Sequence, residues 1–137
     1  MIAATDDRAV NESVKTAGNA AGALVNVVDV PDLCDFYVPA SLRRGDIQIT
    51  ISTGGACPAL AKRLREELEA HFGPEYETYS DILAQLRLDL REAVSEPGRR
   101  KQAEEDYLNS PALNLIRSGN TQEALRLAQD CLARYAD

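Results

Sequence analysis

Apolar and polar positions alternate from Ile47 to Ser52, with Ile47, Ile49 and Ile51 on one side and Gln48, Thr50 and Ser52 on the other. That period predicts a strand with one apolar face. Gly54-Gly55 breaks it, and Pro58 suits the first turn of a helix because it has no N–H to lose there. Leu60, Leu64 and Leu68 follow as one stripe of that helix. Upstream the pattern alternates strand and helix. Met1–Ala4 reads as the end of a buried strand. Thr5, Asp6 and Asp7 read as a cap and first-turn acids. Val10, Val14, Ala17 and Ala21 form a helical stripe that Gly22 stops, and Ala23–Val28 is a second strand ending at Asp29. Residues 1–29 therefore predict a parallel strand–helix–strand crossover. Two strands cannot make a parallel sheet covered on both faces. Another chain completes the sheet, or the sequence is a piece of something longer. Pro31–Asp35 reads as a loop, Phe36–Ala40 as a short strand and Ser41–Asp46 as the turn of a hairpin.

Downstream the pattern is helical throughout. Tyr76, Tyr79, Leu83, Leu86, Leu90 and Val94 space as a long helix, ended by Pro97-Gly98. A charged helix runs to Leu108, Ser110-Pro111 starts another, and Gly119-Asn120-Thr121 separates it from a last helix carrying Ala124, Leu125, Ala128, Leu132 and Tyr135. The run E-A-L-R-L-A resembles one helix of a tetratricopeptide repeat, but it has no second copy, so no solenoid is predicted.

Composition narrows the classes. A chain of 137 residues, 45% hydrophobic, can bury a core as one domain or two small halves. A net charge of −7 argues against general nucleic-acid binding, and no apolar run approaches a membrane span. Three scattered cysteines without a C-x-x-C argue against a disulfide framework or structural zinc, and point to a reducing cytoplasm. No basic leader follows Met1.

Ligands of doubly wound sheets sit beyond the C-terminal ends of the strands. Asp29, Thr5, Asp6, Ser52 and Thr53 occupy such ends, and Asn26 lies in the second strand. For Asp29, a reacting carboxylate and a loop-capping one are both open. Asp32 and Asp35 read as solvated, and the spacing of Asp29, Asp32, Cys34 and Asp35 matches no metal-site signature, so no metal site is expected. Arg43, Arg44, Lys62, Arg63 and Arg65 flank the two turns, either as ordinary surface charge or as the contacts of an anionic ligand. The backbone N–H groups from Thr53 to Ala59 open a helix where anions bind well, yet no Walker pattern is present.

Four blocks then carry a resemblance: I-A-A-T-D-D-R-A-V-N at Ile2–Asn11, L-V-N-V-V-D at Leu24–Asp29, L-C-D-F-Y-V-P-A at Leu33–Ala40, and I-S-T-G-G-A-C-P-A-L-A-K-R-L-R-E-E-L-E at Ile51–Glu69. In order and at natural spacing, they closely resemble the precorrin-2 dehydrogenase family, the dehydrogenase/ferrochelatase part of siroheme synthase. The resemblance implies NAD-dependent oxidation of precorrin-2 to sirohydrochlorin, and in some members insertion of ferrous iron. It implies Asp29 as the catalytic residue. Asn26, Ser52, Thr53, Arg43, Arg44, Lys62 and Arg63 are expected to face the carboxylate-rich substrate, and Ala4, Thr5 and Asp6 the cofactor. A homodimer built from about Phe36 onward is implied, with no nucleic-acid or membrane partner. The serine-rich loop that some members phosphorylate falls on Ser52 and Thr53, where Thr53 and Cys57 depart from the usual serines.

The family's Gly-rich dinucleotide fingerprint is not found in this sequence. The expectation is thus an α/β chain truncated at its N-terminal side. Residues 1–30 would be the remnant of a Rossmann-like NAD-binding sheet, 31–73 a hairpin and helix for dimerisation and substrate, and 74–137 an all-helical domain. The competing expectation is a non-catalytic remnant that binds tetrapyrrole but not NAD. A phosphate-binding module on the Gly54-Gly55 turn is the third.

Overall fold

The computed structural model describes Met1–Asp137. It is a mixed α/β chain of four short strands and six α-helices, in two compact units. The first comprises Met1–Ser41 with Thr50–Glu67, the second Leu42–Ile49 with Leu68–Asp137.

In the first unit, β1 (Ile2–Ala3) and β2 (Asn26–Val27) pair in parallel, Ile2 opposite Asn26 and Ala3 opposite Val27. Between them runs α1 (Arg8–Ala20). The paired segments are shorter than the apolar runs suggest. The expected cap is Asp7 alone, whose carboxylate accepts from Ala9 N (2.8 Å) and Val10 N (3.3 Å). The buried face of α1 is shifted from the expected stripe. Val10 is 43% exposed, whereas Asn11 and Gly18 are buried and Val14 packs on Ala3, Val25 and Val27. Gly18 sits so close to Val25 that an added Cβ would come within 2.4 Å of its methyl. A small residue and a hydrogen-bonding one thus take the inward positions, a choice that hydrophobic spacing does not register.

A short 3₁₀ turn (Pro31–Leu33) follows. The expected strand over 36–40 is a loop, and the strand β3 (Ala40–Arg44) begins where that one was to end. It pairs with β4 (Ile47–Ile51) across the Gly45-Asp46 turn, where Gly45 has φ +55°. Then α2 (Pro58–His71) starts at its proline. Its leucine stripe is not this chain's core: Leu60 is 47% exposed, and Ala61 is the buried residue.

The second unit packs α3 (Glu75–Ala93), α4 (Pro97–Leu108), α5 (Ala112–Arg117) and α6 (Thr121–Tyr135) around one core. Tyr79, Leu86 and Leu90 of α3 meet Tyr107, Ile116 and Ala128, at the helical spacing read from the sequence. The Tyr107 hydroxyl is buried and donates to Ala124 O at 3.1 Å. No helix of the chain is long and apolar enough to cross a membrane.

Candidate functional site

Three cavities of the first unit adjoin one another, sharing wall residues. The largest, about 420 Å³, is lined by Asn26–Pro31, Cys34, Tyr37, Val38, Gly55 and Pro58. A second, about 340 Å³, holds Ala4, Thr5, Asp6, Arg8 and Asn11, and shares Val28, Asp29 and Val30 with the first. The third, about 280 Å³, holds Ser52, Thr53 and Lys62, and shares Tyr37, Val38, Gly55 and Pro58 with the first. Asp29 therefore borders the first two cavities, and Tyr37 the first and third.

Asp29 has a positive φ of 61°, the one non-glycine residue to do so. Asp tolerates this left-handed region better than most residues, and outliers of this kind concentrate at sites where geometry matters. The loop after it is pinned from several sides. Asn26 is 9% exposed and donates from Nδ2 to Phe36 O (2.8 Å) and to Cys34 Sγ (3.5 Å). The Cys34 thiol also accepts from Val27 N, at 3.3 Å. Asp35 is exposed, as expected, and is also tied down. Its Oδ2 accepts from Val25 N (2.9 Å) and pairs with Lys15 Nζ (2.5 Å), and these contacts hold its carboxyl below the usual range.

Thr5 is locked by Asn11, whose Oδ1 accepts from Thr5 Oγ1 (2.8 Å) and Thr5 N (3.3 Å), while Nδ2 donates to Thr5 O (2.8 Å). Asn11 and Tyr37 lie within the resemblance blocks and are not among the expected site residues, and Cys34 is weighed there only as a metal ligand. An asparagine on the inward face of an otherwise apolar crossover helix was the available signal for the first of them.

The Ser52 and Thr53 hydroxyls build the loop before α2. Ser52 Oγ accepts from Gly54 N (3.2 Å), and Thr53 Oγ1 accepts from Cys57 N (3.1 Å). Lys62 lies on the rim, 72% exposed and 4.0 Å from Glu66. Arg63 pairs with Glu67 at 3.0 Å and lines none of the three cavities. Arg43 and Arg44 are on β3. Arg44 donates from Nε to Phe72 O (2.8 Å) and from Nη1 to Arg43 O (2.9 Å), contacts that join residues 43–44 to the end of α2. No cluster of three or more metal-ligating side chains forms.

The fit to a dinucleotide divides by its parts. Ala4, Val28 and Val30 give the Thr5 cavity apolar wall against which a ring can lie. The N-terminus of α1 does not suit a pyrophosphate, because the Asp7 carboxylate already takes its leading N–H groups and adds negative charge. Arg8 at the rim is paired with Glu12 at 2.8 Å.

A parallel strand pair with a crossover helix, a carboxylate at the strand end facing a cleft, then a hairpin and a helical tail define the class: a mixed α/β chain with a Rossmann-like strand–helix–strand unit. Residues 44–71 match the family described as sirohaem biosynthesis protein central, and residues 1–40 match an NAD(P)-binding family. The siroheme synthase of Methylococcus capsulatus is 44% identical over 137 residues, 98% of this chain and 29% of that protein. The siroheme synthase of Nitrosomonas eutropha is 40% identical over 124 residues, 90% of this chain and 26% of that protein. Among solved structures, SirC, a precorrin-2 dehydrogenase, superposes with a TM-score of 0.75 at 26% identity, covering 94% of this chain and 62% of that one. Over nearly its whole length the chain is similar to siroheme synthases, and it spans less than a third of the length of these relatives.

Proposed function

We propose that the chain forms the substrate-facing part of an NAD-dependent precorrin-2 dehydrogenase, which oxidises precorrin-2 to sirohydrochlorin in siroheme biosynthesis. The observation that carries this reading is Asp29, held at φ 61° on the wall shared by an apolar cavity and the Thr5 cavity. Oxidation of precorrin-2 removes a hydride and a proton. A bound NAD supplies the hydride acceptor, and the wall of Ala4, Thr5 and Asp6 is assigned to its ring end. Asp29 takes the proton as general base from a macrocycle lying in the larger cavity. Asn26 holds the Cys34–Phe36 loop so that the carboxylate and the cavity wall keep their spacing. Ser52, Thr53 and Lys62 meet the substrate's peripheral carboxylates. The same base serves chelation, which also needs pyrrole protons removed, so ferrous iron is a second substrate in this reading. The assembly is a cytoplasmic homodimer formed through the region from Phe36 onward. Residues 1–30, 31–73 and 74–137 serve cofactor, dimer and substrate, and helical support in turn.

The test is an anaerobic assay of precorrin-2 with NAD, following sirohydrochlorin by its visible absorbance. Conversion by the wild-type chain and loss of conversion in Asp29→Asn are expected. A second reading, a chain that binds tetrapyrrole without turning it over, is favoured by the hold of Asp7 on the start of α1. Sirohydrochlorin binding with neither NAD binding nor conversion selects that reading.

A further inference from the structure

We infer that Tyr37 is a substrate-contacting shelf of the cleft, a stacking surface for a flat conjugated macrocycle, and that Gly55 seats it. The inference rests on the tetrapyrrole reading of the cleft and adds a residue to it.

Tyr37 is one of four residues shared by the larger cavity and the Ser52 cavity, and it remains 42% exposed. The loop that carries it is nonetheless held firmly. Phe36 O takes the Asn26 amide at 2.8 Å, and Asp35 is bound at its carboxylate by Val25 N and Lys15 and at its own N–H by Val25 O (2.8 Å). An aromatic ring projected into a cleft from a pinned backbone is preorganised for a ligand, with little ordering left to do on binding.

The phenol end of the ring rests directly on Gly55. A Cβ at that position would come within 2.6 Å of Tyr37 Cζ, 2.8 Å of Cε1 and 3.0 Å of Oη, and the backbone there has φ +82°. Gly54, at φ +61°, has open space where its Cβ would be. The two adjacent glycines therefore do different work. Gly54 meets a backbone angle that Asn can also adopt. Gly55 meets an angle and leaves room for a ring. The chemistry that such a shelf recognises is a planar π-system. It favours the more fully conjugated product over the reduced substrate, with Ser52 and Lys62 on the Tyr37-Gly55 side available to peripheral carboxylates.

The experiment titrates sirohydrochlorin into the 137-residue chain and follows the macrocycle's visible absorbance, with circular dichroism and urea midpoints for every variant. Tyr37→Phe is expected to bind within about twofold of wild type, and Tyr37→Ala about tenfold more weakly. Gly55→Asn, whose side chain tolerates the left-handed backbone, is expected to lose about tenfold alone and nothing further in the Tyr37→Ala background, because removing the ring removes the clash. Gly54→Asn stays within about twofold. Wild-type binding with an unchanged Tyr37→Ala overturns the shelf and leaves the tetrapyrrole reading standing. Equal losses in Gly54→Asn and Gly55→Asn, or additive losses in the double variant, overturn the seating role of Gly55. No binding by the wild-type chain overturns the tetrapyrrole reading and the shelf with it.

Discussion

Replacing Asp29 separates chemistry from folding only if its backbone is taken into account. Its φ of 61° lies in the left-handed region, which costs an ordinary L-residue about 1–2 kcal/mol and Asn or Asp less. Asp29→Ala therefore removes the carboxylate and also strains the loop. A loss of about 1 kcal/mol in unfolding free energy is expected, close to a fivefold change in the folding equilibrium. Asp29→Asn keeps the shape and the backbone tolerance at an exposed position, so its stability should stay within about 0.5 kcal/mol of wild type. Asp29→Gly relieves the backbone altogether. If Asp29 is the general base, all three variants lose about 10²–10⁴ in turnover, while only Asp29→Ala also loses stability. The assay pairs anaerobic sirohydrochlorin formation with urea denaturation of the same preparations. Turnover by Asp29→Asn within tenfold of wild type would refute the assignment. A wild-type stability for Asp29→Ala would refute the backbone argument independently.

Three further outcomes are expected. Burial pushes the Tyr107 phenol up to about 12, with Tyr79 and Cys131 adding to the rise. The unfolded chain ionises first, so this contribution is complete below pH 10 and is lost as the pH climbs through 12. At 1% exposure the rise is worth about 3 kcal/mol. Urea midpoints at alkaline pH should therefore fall less in Tyr107→Phe, which at neutral pH gives up about 1 kcal/mol with the Ala124 hydrogen bond. Asn11→Ala strips three bonds from Thr5 and should cost about 2 kcal/mol, with faster amide exchange at Thr5. Arg44→Ala should cost about 1 kcal/mol through the lost bond to Phe72 O.

The paired roles of the cleft residues explain why so few of them are free side chains pointing at a ligand. Asn26, Ser52, Thr53 and Asn11 spend polar groups on nearby backbone or loop groups. A hydroxyl or amide that shapes a loop holds the cavity wall in place whether or not it also touches substrate. Substituting one of them therefore perturbs the cavity and any direct contact together, and the Tyr37–Gly55 double variant is the cleaner probe.

Local physics alone determined much of this molecule. The alternation at Ile47–Ile51, the first-turn proline of α2, the glycine stops and the leucine spacing of α3 are nearest-neighbour properties, and the structure keeps them. The parallel pairing of Ile2–Ala3 with Asn26–Val27 was also legible, because an intervening helix leaves few other arrangements. Tertiary structure decided what depends on neighbours distant in sequence. It turned Phe36–Pro39 into a pinned loop, because Asn26 claims the Phe36 carbonyl that a strand partner would have taken. It shifted the buried face of α1 onto Asn11 and Gly18, since Thr5 needs a partner and Val25 needs room. It tied Asp35 to Lys15, twenty residues earlier in the chain. It also gave Asp29 a left-handed backbone and set Tyr37 on Gly55. Periodicity records which faces are apolar; which partner each face meets is settled only when the chain closes on itself.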